Sequence, residues 1–308
     1  MRIKTLAMAA AAALLSSTAL LHAQTFTFTT LDNPGDPTFN QLLGINDSGV
    51  IVGYFGSGTT GHPNIGYEIA PPYSKFTSNM QPGSVQTQAI AINNKGITTG
   101  FWSDTNTGTD ANFAFIRQPV GAKFQYVSAI DPLVASTPLI SQALGINNNN
   151  VVAGVYNDAN GTPHAYTYNL GTAAVFPLDV GGHPAGATGI NDLNQICGFF
   201  VNGSKTFGFV KSSNGGVNTT TSFIVPGTSF TQLLGINNAG VAVGFYMDAN
   251  QIPHGIYYTP STGAWLAVND PEGVQGTVLN GINNKGELVG FYTDAAGNVH
   301  GMIVTVAQ

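Results

Sequence analysis

The sequence predicts an all-β fold, a six-bladed β-propeller of four-stranded antiparallel blades, on three observations. An Ile-Asn pair recurs six times at a period of blade size. Each copy holds four short β-type runs split by Gly, Asn, Asp and Pro. The last copy is as regular as the middle ones, which suits a closed ring better than a linear solenoid with distinct caps.

The Ile-Asn pairs stand at 45–46, 92–93, 146–147, 190–191, 236–237 and 282–283, spaced by 47, 54, 44, 46 and 46 residues. Gly precedes the pair in five copies and Ala91 in the other. Eight residues after each Ile stands a Gly, from Gly53 to Gly290, and two residues later an aromatic: Phe55, Trp102, Tyr156, Phe200, Tyr246 and Tyr292.

Within a unit the first run carries an aromatic: Phe28, Phe76, Phe124, Phe176, Phe223 or Trp265. A Pro- or Gly-containing loop follows. The second run ends at Gly-Ile-Asn, the third is Val-Gly-aromatic, and the fourth is of the His-Gly-Ile-Tyr type. No run after residue 23 has helical period. If the aromatic run is the outer strand of the preceding blade, residues Thr25 to Leu31 complete the last blade. If it opens its own blade, there is no such clasp. The sequence is compatible with both.

The tetrad that starts at each Asn is a turn signal. Asn leads all six, and the fourth place is always Gly or Asn: Gly49, Gly96, Asn150, Asn194, Gly240 and Gly286. Those residues reach the left-handed region most cheaply, and the leading Asn can bond backbone two residues on. A meander places these turns on one face and the Asp-type hairpins and Pro-Gly loops on the other. The second face carries the variation, and function tends to sit in variable loops on a rigid scaffold.

The N-terminus reads as a signal peptide over 1–23. Arg2 and Lys4 precede an apolar Leu6-to-Leu21 stretch, and Ala23 is a small residue at the expected cleavage point. Residues 24–308 then form one six-repeat domain, expected to be secreted or periplasmic in a bacterium, monomeric and without membrane insertion. That part has seven basic and fifteen acidic residues, with Arg117 its single arginine. Nucleic acid is an unsuitable partner, because its phosphates need a basic footprint. Cys197 is the only cysteine, so no intramolecular disulfide exists. It replaces Val or Ala of other copies and reads as a small buried apolar residue.

The repeat resembles that of the HAF-type extracellular proteins of bacteria. The match is carried by Gly235-Ile236-Asn237-Asn238-Ala239-Gly240, Val243-Gly244-Phe245-Tyr246 and His254-Gly255-Ile256, with further copies at His164-Ala165-Tyr166 and His300-Gly301-Met302. It covers nearly all of residues 24–308. The resemblance implies export and a β-repeat fold, and it carries over no catalytic residues.

Candidate chemistry lies in the irregular parts. His164, His254 and His300 occupy positions that are Ile65, Phe113 and Phe207 in other units, so they read as packing residues. The second-unit hairpin Asp104 to Asp110 resembles part of a calcium loop, with Asp104, Asn106 and Asp110 as oxygen donors, although turn formation explains the same residues. No other cofactor is expected. Asp32, Asp131, Asp179 and Asp270 precede loops on the variable face. His183 lies in a loop, and Tyr73, Tyr126 and Tyr258 are candidate stacking aromatics. Asp131, His183, Asp270 and Tyr126 are the ligand-binding candidates. Two functions fit: a non-catalytic scaffold binding a glycan or envelope protein, or a secreted polysaccharide-cleaving enzyme, hydrolase or lyase, with an acidic site at the channel mouth.

Overall fold

The protein, seen here as a computed structural model, is described over residues 25–128, 136–214 and 217–306. The stretch 1–23, expected from the sequence to be a signal peptide, and Asp131 lie outside the described residues. The described residues form strands and turns, and none of their segments is a helix able to cross a membrane.

Strand β1 (Phe26–Thr30) comes first. Blade 1 holds β2 (Asn40–Ile45), β3 (Ile51–Phe55), β4 (Ile65–Ile69) and β5 (Phe76–Ser78). Blade 2 holds β6 (Gln86–Ile92), β7 (Thr98–Ser103), β8 (Phe113–Val120) and β9 (Lys123–Ser128). Blade 3 holds β10 (Ser141–Ile146), β11 (Val151–Asn157), β12 (Pro163–Asn169) and β13 (Ala174–Pro177). Blade 4 holds β14 (Ala185–Ile190), β15 (Ile196–Asn202), β16 (Lys205–Asn214) and β17 (Val217–Phe223). Blade 5 holds β18 (Thr231–Ile236), β19 (Ala242–Met247), β20 (Pro253–Thr259) and β21 (Ala264–Ala267). Blade 6 holds β22 (Gly276–Ile282), β23 (Leu288–Thr293) and β24 (Val299–Val306), and takes β1 as its fourth strand.

The aromatic run is therefore the outer strand of the preceding blade, and the ring closes by a clasp. β1 pairs antiparallel with β24, Phe26 opposite Val306 and Thr30 opposite Met302. Each inner strand ends at Ile-Asn and touches the inner strands on either side in a closed circle. A bulge breaks the register of every inner strand one residue before its small residue, as between Leu42 and Gly44. A side chain has no room at the Gly of Gly-Ile-Asn. A Cβ on Gly44 would lie 2.7 Å from the Ile90 carbonyl, and one on Gly145 would lie 2.9 Å from the Gly189 Cα. The core lies between blades, as where Ala153 and Ala165 of blade 3 pack with Ala187, Ile190 and Phe209 of blade 4. Cys197 is fully buried, and burial pushes its thiol up to about 12.

The six Asn turns do more than reverse the chain. Each leading Asn accepts two amides of its own turn on Oδ1, as Asn46 does from Ser48 and Val50 at 3.0 Å each. Its Nδ2 donates to the backbone carbonyl of the leading Asn in the next blade. The chain runs Asn46 to Asn93, Asn147, Asn191, Asn237, Asn283 and back to Asn46, at 3.1, 3.0, 3.0, 2.8, 3.3 and 3.1 Å. A second ring runs beside it. The backbone amide of each second tetrad residue donates to the side-chain Oδ1 of the next: Asp47, Asn94, Asn148, Asp192, Asn238, Asn284 and back to Asp47. The fourth tetrad residue takes positive φ in all six copies, as the turn reading predicts.

The two acids of the second ring sit opposite one another in it. Asp47 accepts the amides of Asn94 and Asn284, and Asp192 those of Asn148 and Asn238. Burial pushes both carboxyls upward, yet the amide donors outweigh it and hold them below the ordinary value. Asn93→Asp keeps the turn acceptor and removes the donor to Asn147. We expect a loss of about 1–3 kcal/mol by denaturant unfolding: the Asn147 carbonyl keeps the Asn150 amide at 3.2 Å but loses its donor from the neighbouring blade, and a carboxylate oxygen is left facing it.

The clasp has its own polar latch. His300 Nδ1 lies 2.7 Å from Asp32 Oδ2, and its Nε2 lies 3.3 Å from Asp294 Oδ2. Asp32 also accepts the Gly301 amide at 2.9 Å. Burial pulls the imidazole pKa down, but the two carboxylates outweigh it and raise it above the ordinary 6.5. A raised folded pKa gives stability that is complete below pH 6.5 and is lost as pH rises through the folded value. The melting-temperature advantage of the natural protein over His300→Phe should therefore shrink from pH 6 to pH 8; an advantage that grows would contradict this sign.

Candidate functional site

The variable face is uneven because its hairpins differ in length. Blade 1 joins β3 to β4 through nine residues, 56–64, and blade 2 joins β7 to β8 through nine, 104–112. Blades 3, 5 and 6 use five residues and blade 4 uses two. The two long hairpins are neighbours, and the Asn106 amide donates to the Thr59 carbonyl at 2.9 Å.

The short hairpins show what the regular pattern builds. Asp158, Asp248 and Asp294 each cap their turn with Oδ1, accepting the amides two and four residues on. Their Oδ2 faces Nε2 of His164, His254 and His300 at 3.0, 3.4 and 3.3 Å. Each imidazole lies against the Tyr opposite it, with centroids 5.3, 5.1 and 5.1 Å apart. These histidines are thus packing residues with a carboxylate partner. In blade 2 the same places hold Trp102 and Phe113, 4.8 Å apart, so Asp104 has no histidine to face.

A pocket of about 600 Å³ opens there, between the two long hairpins and the segment entering blade 3. Its wall includes Trp102, Gln86, Gln88, Asn64, Asp110 and Asn112, with Pro138 and Ile140 beyond. That volume falls in the usual range for small-molecule sites, about 300–1,000 Å³. Internal hydrogen bonds fix the amides. Gln86 Nε2 donates to the Thr105 carbonyl and to Asp110 Oδ2, both at 3.0 Å. Gln88 Nε2 donates to Asn64 Oδ1 at 2.7 Å, and Gln142 Nε2 donates to Asn112 Oδ1 at 2.6 Å. Two polar atoms of the wall residues, Gln86 Oε1 and the Trp102 indole nitrogen, are shielded from solvent with no hydrogen-bond partner.

Asp110 is the carboxylate of this pocket. It accepts the Thr105 hydroxyl, the Thr107 amide and hydroxyl, the Gly108 amide and the Gln86 amide. The Thr105 hydroxyl is the largest cause of a pKa lowered to about 2, with the Thr107 and Gly108 donors adding to it against a rise from burial. The oxygens that a cation would use here already face five N–H and O–H donors. Among the described residues, no group of three or more His, Cys, Asp or Glu converges on one point.

The other described sequence candidates lie outside this pocket, with Asp32 and Asp270 both near His300. His183 stacks on Phe200, with centroids 5.2 Å apart, in the loop before blade 4. Asp270 is buried before blade 6 and caps a turn, its Oδ1 accepting the Glu272 amide at 2.9 Å as Asn33 does for Gly35 before blade 1. Burial and the nearby Glu272 carboxylate raise the Asp270 carboxyl pKa. Asp179 caps the Gly182 amide, and Asp32 belongs to the clasp. Tyr126 lies on outer strand β9 opposite Arg117. Tyr258 is buried against Phe223 at 4.2 Å and Tyr73 gives its hydroxyl to the Gly49 carbonyl, so the expectation that Tyr258 is an exposed stacking surface is corrected. Packing at the outer strand of blade 4 takes its ring.

The residues that sequence reasoning passed over are Trp102, Gln86, Gln88, Asn64 and Asn112. One signal was available: Trp102 is the single Trp among six equivalent aromatics, beside a hairpin longer than most. The axial channel is a second cavity, about 220 Å³, walled mostly by aliphatic side chains and glycines such as Leu43, Ile90, Leu144 and Leu234. Gln88 lines both spaces.

No protein-family model matches the chain, and no curated protein matches its sequence. Solved structures do share its fold. A variant of the Aleuria aurantia lectin in complex with Fucalpha1-6GlcNAc is 11% identical, covers 88% of this chain and 95% of its own, and has a TM-score of 0.52. AofleA from Arthrobotrys oligospora is 9% identical, covers 92% and 90%, and scores 0.53. A gluconolactonase-type protein is 10% identical, covers 91% and 93%, and scores 0.52. At such identities the likeness is one of fold alone.

The Asp110 carboxyl should titrate near pH 2 rather than at its ordinary 3.8. A depressed folded pKa means that its support of the hairpin is complete above about pH 4 and fades as pH falls through 2. A side-chain NMR titration checks this, and a midpoint near 3.8 would contradict the bonding described.

Proposed function

We propose that this protein is an exported, non-catalytic binding scaffold that engages a glycan of a cell envelope or its surroundings through the Trp102 pocket. The observation that carries the reading is the composition of that pocket. An aromatic ring, several amides held in fixed orientation and a single carboxylate meet in one cavity on the variable face. Flat aromatic surface and preorganised amide groups suit a sugar, which presents C–H faces and hydroxyls at once. The resemblance of the repeat to HAF-type extracellular proteins supports export, and the acidic balance of the chain supports a partner other than nucleic acid. The shared fold of a lectin in complex with Fucalpha1-6GlcNAc is a precedent for sugar recognition on a propeller of this kind.

Polysaccharide cleavage has less support. Glycoside hydrolysis uses two carboxyl groups roughly 5–9 Å apart, one of them kept protonated. Among the described residues Asp110 is the only carboxylate in the wall, and its donors favour the ionised form. Asp179 caps a turn before blade 4, while Asp32 and Asp270 lie together near His300 at blade 6, where Asp32 holds the imidazole and the Gly301 amide and Asp270 caps the Glu272 amide.

A glycan array probed with residues 24–308, with and without EDTA, tests the reading. We expect discrete glycan hits, unaffected by the chelator, that are lost in Trp102→Ala and weakened about tenfold in Gln86→Ala, the scale of one to two lost hydrogen bonds. Thermal melts of both variants separate loss of the site from loss of the fold. Release of reducing or unsaturated ends from an array hit would overturn the non-catalytic assignment.

A further inference from the structure

We infer that the Trp102 pocket selects uncharged, hydroxyl-rich saccharide units and rejects those carrying a carboxylate or sulfate. The inference rests on the glycan-binding reading and adds to it a rule of selection, which comes from charge and from the direction of the hydrogen bonds in the wall.

Among the described residues, none of those in the wall is Lys, Arg or His. Arg117, the single arginine outside the signal stretch, is unavailable. It is buried, pairs with Glu68 at 2.6 Å and stacks on Phe124 at 3.3 Å. An anionic ligand would therefore enter with no cation to pair with, and would meet the ionised Asp110. Bringing like charges together at an interface is costly and suppresses wrong partners.

The hydrogen bonds point the same way. Both N–H groups of the Gln86 amide are committed within the protein, to Asp110 and Thr105, and Gln88 and Asn64 each commit one, to Asn64 Oδ1 and to the Gly56 carbonyl. The solvent-shielded side-chain atoms of the wall without a partner are one acceptor, Gln86 Oε1, and one donor, the Trp102 indole N–H. A hydroxyl both donates and accepts, so neighbouring sugar hydroxyls satisfy both after small side-chain shifts. A carboxylate or sulfate only accepts. Placed beside Gln86 Oε1, it would leave that acceptor unpaired and would face Asp110, whereas a hydroxyl there pairs it.

The test compares neutral gluco-, galacto- and manno-oligosaccharides with their C6-uronate counterparts, matched in linkage and length, by titration calorimetry. We expect each neutral ligand that binds to exceed its uronate partner by about tenfold or more at low salt, with the gap narrowing as salt screens the repulsion. Thr109→Lys places a cation on the exposed rim and leaves the donors of Asp110 intact. It should raise uronate affinity with little change for the neutral ligand. Asp110→Asn should narrow the gap as well, with a thermal melt confirming its fold. Equal or tighter uronate binding by the natural protein would overturn the selection rule while glycan binding stands. If neither set binds and the array is empty, the glycan reading itself falls.

Discussion

Everything in this molecule depends on the hydrogen bond from the side-chain amide of one leading Asn to the backbone carbonyl of the next. That bond occurs six times and returns to its start. Its chemistry explains why the residue is Asn in every copy. Asp would cap the turn equally well but has no donor, and Ser or Thr is too short to bridge two blades while capping two amides. Only a side chain with an acceptor at one corner and a donor at the other does both jobs. The ring then imposes the remaining axial features. Inner strands drawn this close leave no space for a Cβ at Gly44, Gly145, Gly189, Gly235 or Gly281, and the bulge before each of these positions turns one residue into the channel.

The second ring makes a complementary demand, that the next residue be an acceptor. Asp and Asn both meet it, and the order around the ring is Asp47, Asn94, Asn148, Asp192, Asn238, Asn284. Each acid lies between two amides and each amide has one acid neighbour. The two negative charges are kept as far apart as a six-membered ring allows, and each is solvated by protein donors in place of water. The clasp answers the same closure requirement at the other end of the chain, where Asp32 and Asp294 hold His300 between β1 and the hairpin after β23.

Fold class, blade number, strand number and the turns were legible in the sequence because they rest on local rules repeated six times. The left-handed residue at Gly49 or Asn150 follows from turn geometry alone. Ownership of the aromatic strand was not legible, because Phe28 reads the same whether it pairs with blade 1 or blade 6. The double role of Asn46 was hidden for a related reason: its second partner is 47 residues away in sequence. The candidate site was legible only as irregularity. The hairpin 104–110 stood out, and the structure brings Asp110 together with Pro138 and Ile140. Gln86 and Asn64 did not stand out, since amides on strand ends and turns are common throughout this chain. The proposed site thus sits where two adjacent blades depart from the pattern the other four keep, on a scaffold whose symmetry supplies rigidity.

The central claim is that the ligand occupies the pocket beside Trp102. The chain has two tryptophans, Trp102 in that wall and Trp265 on an outer strand of blade 5, so an ¹⁵N-labelled sample gives two indole signals. Titrating in a neutral oligosaccharide chosen from the array should move the Trp102 signal in a saturable way and leave that of Trp265 in place. Binding that leaves the Trp102 indole unmoved would contradict the account.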